Sequence, residues 1–227
     1  MKKHNFSAGP CVLPKSVMQK ASEAILNFNG LDLSLIEISH RSKDFVAVME
    51  RAQTLALEHL GLQNKGYKAL FLQGGASMQF LMTAYNLLDS KAAYLNTGTW
   101  SSKAIKEAKL FGEVIEVASS KDKNFNYIPK DYSIPEDADY FHCTSNNTIF
   151  GTQIKEFPKT DVPIVCDMSS DIFSRQLNFE DFDLIYAGAQ KNMGPAGTVL
   201  VVIKESILGK VDRKIPSMMD YQVHISK

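Results

Sequence analysis

Asp167 and Lys191 are two residues that chemistry could use as a pair. Asp167 closes the apolar run Pro163-Ile164-Val165-Cys166, and Lys191 follows Asp183-Leu184-Ile185-Tyr186-Ala187 across Gly188-Ala189-Gln190. A lysine held just past a buried strand is costly to keep charged. Its pKa falls from the reference of about 10.4, and the amine becomes a nucleophile able to form a Schiff base. A carboxylate at a neighbouring strand end is a natural partner for a cationic ring nitrogen. Leu72-Gln73-Gly74-Gly75-Ala76-Ser77-Met78 reads as strand, glycine turn and helix start. There the backbone N–H groups of Ala76 and Ser77, the Ser77 hydroxyl and the positive end of the helix dipole all face an anion. Asn96-Thr97-Gly98-Thr99-Trp100 carries the only tryptophan, whose indole could stack on a planar ring. Taken singly, each feature has a plainer explanation. Asp167 could cap a turn, Lys191 could be solvated in a Gly/Pro-rich loop, the two glycines could make a tight turn, and Trp100 could pack in the core.

Taken together, an amine, a carboxylate, a phosphate cup and a stacking face, each after a different strand, meet the needs of pyridoxal 5'-phosphate. Other machinery is absent from the sequence. There is no H-E-x-x-H, no G-x-x-x-x-G-K-[ST], no G-x-S-x-G and no G-x-G-x-x-G after a strand. The five histidines, His4, His40, His59, His142 and His224, lack metal-ligand spacing, so no metal site is expected. Twenty-five basic side chains balance twenty-five acidic ones, so no global field draws in nucleic acid or an anionic membrane, and any phosphate must be held locally. Cys11, Cys143 and Cys166 are odd in number and far apart, which fits a reduced cytoplasmic setting. The N-terminus lacks the apolar stretch of a signal peptide, and no run of apolar residues is long enough to cross a membrane.

The elements that must position these residues follow from periodicity. Pro14 to Phe28 and Ser42 to Leu60 read as amphipathic helices, the second capped by Ser42 and stopped by Gly61. Lys68 to Leu72 reads as a strand, Ser77 to Leu88 as a helix, Ala92 to Leu95 as a strand, and Trp100 to Phe111 as a helix closed by Gly112. Glu113 to Val117, Tyr140 to Thr144, Pro163 to Asp167, Asp183 to Ala187 and Thr198 to Ile203 read as buried strands. Alternation of this kind predicts an α/β fold of three layers, α/β/α, around a mainly parallel mixed sheet, with functional residues just after the strands. Ser119 to Pro135 reads as a solvated surface excursion, and Ser217 to Lys227 shows no capped helix or completed strand.

Five stretches carry a family likeness. They are Tyr186-Ala187-Gly188-Ala189-Gln190-Lys191-Asn192-Met193-Gly194-Pro195-Ala196-Gly197, Asn5-Phe6-Ser7-Ala8-Gly9-Pro10, Ser39-His40-Arg41, Gln73-Gly74-Gly75-Ala76-Ser77 and Asp167-Met168-Ser169-Ser170. Spread along the whole chain, they resemble in sequence order the phosphoserine aminotransferase family, of the aspartate aminotransferase fold. The resemblance implies transfer of the amino group of L-glutamate to 3-phosphohydroxypyruvate, giving O-phospho-L-serine and 2-oxoglutarate in serine biosynthesis, and in many bacteria a part in pyridoxine biosynthesis. It implies that Lys191 carries the Schiff base and then moves the proton, and that Asp167 keeps the ring nitrogen protonated. Trp100 would stack on the ring, Thr148 would bond the cofactor's polar edge, and Ala76, Ser77 and Gln190 would hold its phosphate. His40 and Arg41 would be the substrate-side pair. The resemblance further implies a homodimer with sites at the subunit interface. Residues 1–227 would be the cofactor-binding large domain, with an N-terminal arm over about 1–15. The family's C-terminal small domain lies beyond the matched region, so the alternative to a working aminotransferase is a truncated, non-catalytic cofactor-binding fragment.

Overall fold

A computed structural model describes residues 3–227; the first two positions of the N-terminal arm lie outside the described residues. Residues 3–14 form no helix or strand and are almost entirely exposed. Helix α1 (Lys15–Leu26) follows, starting after Pro14, which suits a helix entrance because its ring pre-sets φ and lacks an N–H. Its amphipathic pattern is real, yet none of its residues is buried, and Val17, Met18, Ile25 and Leu26 stay exposed. Helix α2 (Lys43–Leu60) has the expected ends. The Ser42 hydroxyl accepts from the Phe45 N–H at 3.4 Å, and Gly61 stops the helix in the left-handed conformation.

Strand β1 (Tyr67–Gln73) leads into α3 (Gly75–Leu87), and β2 (Lys91–Asn96) leads into α4 (Thr99–Ala108), which ends three residues earlier than the pattern predicts. The remaining main strands are β3 (Glu113–Ser119), β4 (Phe141–Thr144), β7 (Ile164–Asp167), β8 (Leu184–Gly188) and β9 (Thr198–Lys204). Between β4 and β7 lies a small hairpin of β5 (Asn146–Asn147) and β6 (Thr152–Gln153). The seven main strands make one sheet in the order β1-β9-β8-β7-β4-β2-β3. Pairing is parallel from β8 through β7, β4 and β2 to β3, while β9 runs antiparallel to both β8 and β1. Because β9 is reversed between them, β1 points the same way as β8. The carboxyl ends of β1, β8, β7, β4 and β2 therefore share one edge with the start of β9.

Alternate residues of the strands feed two cores. Tyr94, Val165, Tyr186 and Val201 pack with α3 and α4 on one face. Leu95, Cys166, Ile185 and Val202 pack with Ala56 and Leu60 of α2 on the other, together with irregular segments around Ile154, Ile172 and Phe179. The three-layer mixed-sheet expectation holds, with the second helical layer completed largely by loops.

Three sequence expectations need correction. Strand β3 is an edge strand with no fully buried residue, because only β2 pairs with it. The 119–135 stretch is not simply solvated: Ser120 is buried, and Ile128, Tyr132 and Ile134 pack against the core, which spacing among Lys and Asp conceals. The terminal segment holds a short helix, α6 (Tyr221–Ile225), capped by Asp220. Its Tyr221 is fully buried, and the hydroxyl donates to Gln79 Oε1 of α3 at 2.6 Å.

Candidate active site

Asp167 is the last residue of β7, and it is 4% exposed. Burial raises its carboxyl above the ordinary value, while hydrogen bonds from Ser169 and the positive charge of Lys191 work in the opposite direction. Oδ1 accepts from the Ser169 N–H at 2.9 Å and from the Ser169 hydroxyl at 2.6 Å, a local turn in which a carboxylate captures the backbone two residues on. The Ser169 hydroxyl in turn accepts from the Gly188 N–H at 3.1 Å.

Gly188 ends β8 and opens the four-residue helix α5 (Ala189–Asn192), which carries Lys191. Partial burial lowers the Lys191 amine below its ordinary value, and the Asp167 carboxylate pulls it back up. Its Nζ donates to Thr148 Oγ1 at 2.9 Å and stands 5.3 Å from the centroid of the Trp100 ring. Trp100 sits in the first turn of α4, just beyond β2. Lys103 Nζ stands 4.7 Å from the same ring centroid.

A cavity of about 510 Å³ is lined by Asp167, Lys191, Trp100, Gln190, Ala76 and Ser77. It is also lined by Gly9, Pro10, Gly74, Gly75, Phe80, Ser169, Ala196 and Gly197. That volume is within the ordinary range for small-molecule sites. Ala76 and Ser77 stand in the first turn of α3, whose leading N–H groups have no helical partner and whose dipole favours an anion. Gly74 and Gly75 both have positive φ, 91° and 66°, and this lets the backbone turn sharply from β1 into α3. These residues fit the group the sequence points to. A buried carboxylate, an indole face, an amine of lowered pKa and a helix N-terminus open onto one space.

The structure thus brings together the predicted Asp167, Lys191, Ala76, Ser77, Trp100 and Gln190. It places Thr148 beside them through the lysine amine. It does not bring His40 and Arg41 to the cavity wall. Both are exposed in the turn before α2, where the Arg41 N–H donates to Ser39 Oγ at 3.2 Å. Sequence reasoning assigned no role to Ser169, although the Asp-x-Ser spacing is the signal of such a turn. It also missed the contact of the N-terminal arm. The Cys11 N–H donates to the Gln190 carbonyl at 2.9 Å, and a Cβ on Gly9 would lie 2.9 Å from Lys191 Cγ. Among the described residues no group of His, Cys, Asp and Glu could hold a metal ion, and no helix is long and apolar enough to cross a membrane.

Residues 3–222 match the family model for aminotransferase class V. The phosphoserine aminotransferase of Flavobacterium johnsoniae is 72% identical over 227 residues, covering 99% of this chain and 64% of that protein. The phosphoserine aminotransferase from Bacillus circulans subsp. alkalophilus superposes with a TM-score of 0.93 at 42% identity, over 98% of this chain and 63% of the other. The pyridoxal-phosphate-bound phosphoserine aminotransferase of Trichomonas vaginalis superposes at 0.92 with 34% identity, over 99% and 64%. The chain spans a little under two thirds of the length of these relatives.

Proposed function

The chain belongs to the aminotransferase class V family, and from that premise we propose that it is the pyridoxal-phosphate-binding large domain of a phosphoserine aminotransferase. The reaction would move the amino group of L-glutamate to 3-phosphohydroxypyruvate and give O-phospho-L-serine and 2-oxoglutarate. The observation that carries this reading is the convergence of Lys191, Asp167, Trp100 and the N-terminus of α3 on one cavity. Relatives that bear the name phosphoserine aminotransferase support the choice of substrates.

The chemistry supplied by pyridoxal phosphate, when bound, is a reactive aldehyde and a ring that accepts carbanion charge. The protein's own residues do the rest. Asp167, whose ionised form Ser169 and Lys191 favour against the cost of burial, would keep the ring nitrogen of the bound cofactor protonated. Lys191, whose amine burial makes easier to deprotonate, would be the nucleophile and would then carry the proton at the substrate α-carbon. Thr148 accepts from Lys191 Nζ and so holds the amine to one side of the cavity. Ala76, Ser77 and Gln190 would hold the phosphate, and Trp100 would stack on the ring. His40 and Arg41 are proposed as the substrate-side pair on the chemistry of the guanidinium fork, which takes a carboxylate or a phosphate through two parallel hydrogen bonds.

The same reading makes the protein a cytoplasmic homodimer serving serine and pyridoxine biosynthesis. Its three unpaired cysteines support a reducing compartment, and the apolar side chains that α1 leaves exposed support a further subunit or domain against them. The test is incubation of the protein with pyridoxal phosphate, L-glutamate and 3-phosphohydroxypyruvate, following O-phosphoserine by phosphorus NMR. Product that requires all three and disappears in Lys191→Ala supports the reading. Cofactor binding without product leaves a binding fragment, and no cofactor binding overturns the reading.

A further inference from the structure

Ser169 stands between the two groups on which the proposed chemistry depends. Its backbone N–H and its hydroxyl both reach Asp167 Oδ1, at 2.9 and 2.6 Å, and the same hydroxyl accepts from the Gly188 N–H at 3.1 Å. Gly188 is the residue from which the lysine-bearing turn starts. One buried hydroxyl therefore ties the end of β7 to the end of β8, and its donor and acceptor capacity are both used. The neighbouring Ser170 faces away from this pair: its hydroxyl donates to the Asn146 carbonyl at 2.9 Å and accepts from Asn146 Nδ2 at 2.8 Å.

We infer that Ser169 is a positioning residue. It orients the Asp167 carboxylate that would partner the cofactor's ring nitrogen, and it fixes the origin of the turn that presents Lys191. This inference rests on the pyridoxal phosphate reading of the cavity. The physical basis is that a buried carboxylate with too few donors is driven toward its neutral form, which cannot keep a pyridine nitrogen protonated. The titratable groups facing Asp167 are Lys191 on α5, Asp171 in the loop after β7, Tyr186 on β8 and Cys166 on its own strand. Only Lys191 favours the ionised carboxylate. Ser169 is thus the chief source of hydrogen bonds to it.

Trp100 is the chain's only tryptophan and lines the cavity, so quenching of its fluorescence reads occupancy without any need for turnover. Pyridoxal phosphate is titrated into the cofactor-free protein, across the acid pH range, for wild type, Ser169→Ala, Ser169→Cys and Ser170→Ala. Ser169→Cys keeps the size and weakens the donor, and it serves where Ser169→Ala does not fold. Losing a hydrogen bond to a charged group predicts affinity weaker by roughly tenfold or more in the Ser169 variants. Their acid loss of binding should also begin at a higher pH than in wild type, while Ser170→Ala keeps the wild-type pH profile. Wild-type affinity and pH profile in a folded Ser169 variant overturn the inference, as does the same pH displacement in Ser170→Ala. If the wild-type fluorescence does not respond to pyridoxal phosphate at all, the cofactor reading itself fails and this inference falls with it.

Discussion

At the scale of single residues, the opposing influences on Lys191 have a measurable sign. Burial lowers its amine from 10.5, and the Asp167 charge raises it. Replacing Asp167 by Asn removes only the raising influence, so the amine should reach half its reactivity at a lower pH than in wild type. Competitive labelling with an amine reagent, read at Lys191 by peptide mass spectrometry across pH, measures the shift. A midpoint that stays put or moves upward in Asp167→Asn shows that the Asp167 charge does not raise the amine. Both residues were legible in the sequence: Asp167 closes an apolar run directly, and Lys191 follows one across the short turn Gly188-Ala189-Gln190, where only function or a turn explains a charge. Ser169 was not. A serine two residues from an aspartate is common, and its second bond to Gly188 spans 19 positions.

At the scale of elements, the N-terminal arm is the part of the site whose role is least visible from its own composition. Residues 3–14 make no helix or strand, yet Cys11 pairs with the Gln190 carbonyl and Gly9 lies over the Lys191 side chain. Gly9 is not among the glycines of positive φ; what it provides is closeness. A methyl group there would come within 2.9 Å of Lys191 Cγ and 3.4 Å of the Gln190 carbonyl. Gly9→Ala should therefore weaken cofactor binding by about tenfold, on the scale of an interaction worth roughly 1.4 kcal/mol. Because Gly9 is exposed, global stability should move by no more than about 0.5 kcal/mol. Urea unfolding and cofactor titration on the same variant separate the two effects, and unaltered binding would remove the arm from the site. Helices and strands with strong periodicity were read within a few residues. Helix α6 was missed because five residues are too few to show a period, and its anchor Tyr221 is meaningful only through Gln79 and Thr83 on α3.

At the scale of the whole molecule, the sheet is held around a buried polar chain. Tyr94 stacks on His142 with centroids 4.7 Å apart, and His142 Nε2 lies 2.7 Å from the Tyr186 hydroxyl. Burial pushes the His142 imidazole down to about 3, well below the value near 6.5 expected of an unfolded chain. Between those values the unfolded state binds a proton that the folded state does not. The stability linked to His142 is therefore fully present above about pH 6.5 and is lost as pH falls toward 3. Denaturation by urea between about pH 7 and pH 4 should show a shallower acid decline in His142→Asn than in wild type, whatever the variant's absolute stability. Equal slopes would mean that the imidazole is not the group responsible.

The sequence alone determined the alternation of strands and helices and the placement of Asp167, Lys191, Ala76, Ser77 and Trp100 just beyond strands, because period and strand-end position are local properties of a chain. Only the tertiary structure decided which of those strand ends meet. The reversal of β9 turns β1 to point with β8, and this brings the α3 N-terminus to the same edge as Asp167 and Lys191. The same packing left His40 and Arg41 outside the cavity wall and drew in Gly9, Ser169 and Gly197. Contacts between residues far apart in the chain depend on strand order and on which loop closes over which edge, and neither is written in the spacing of any one segment.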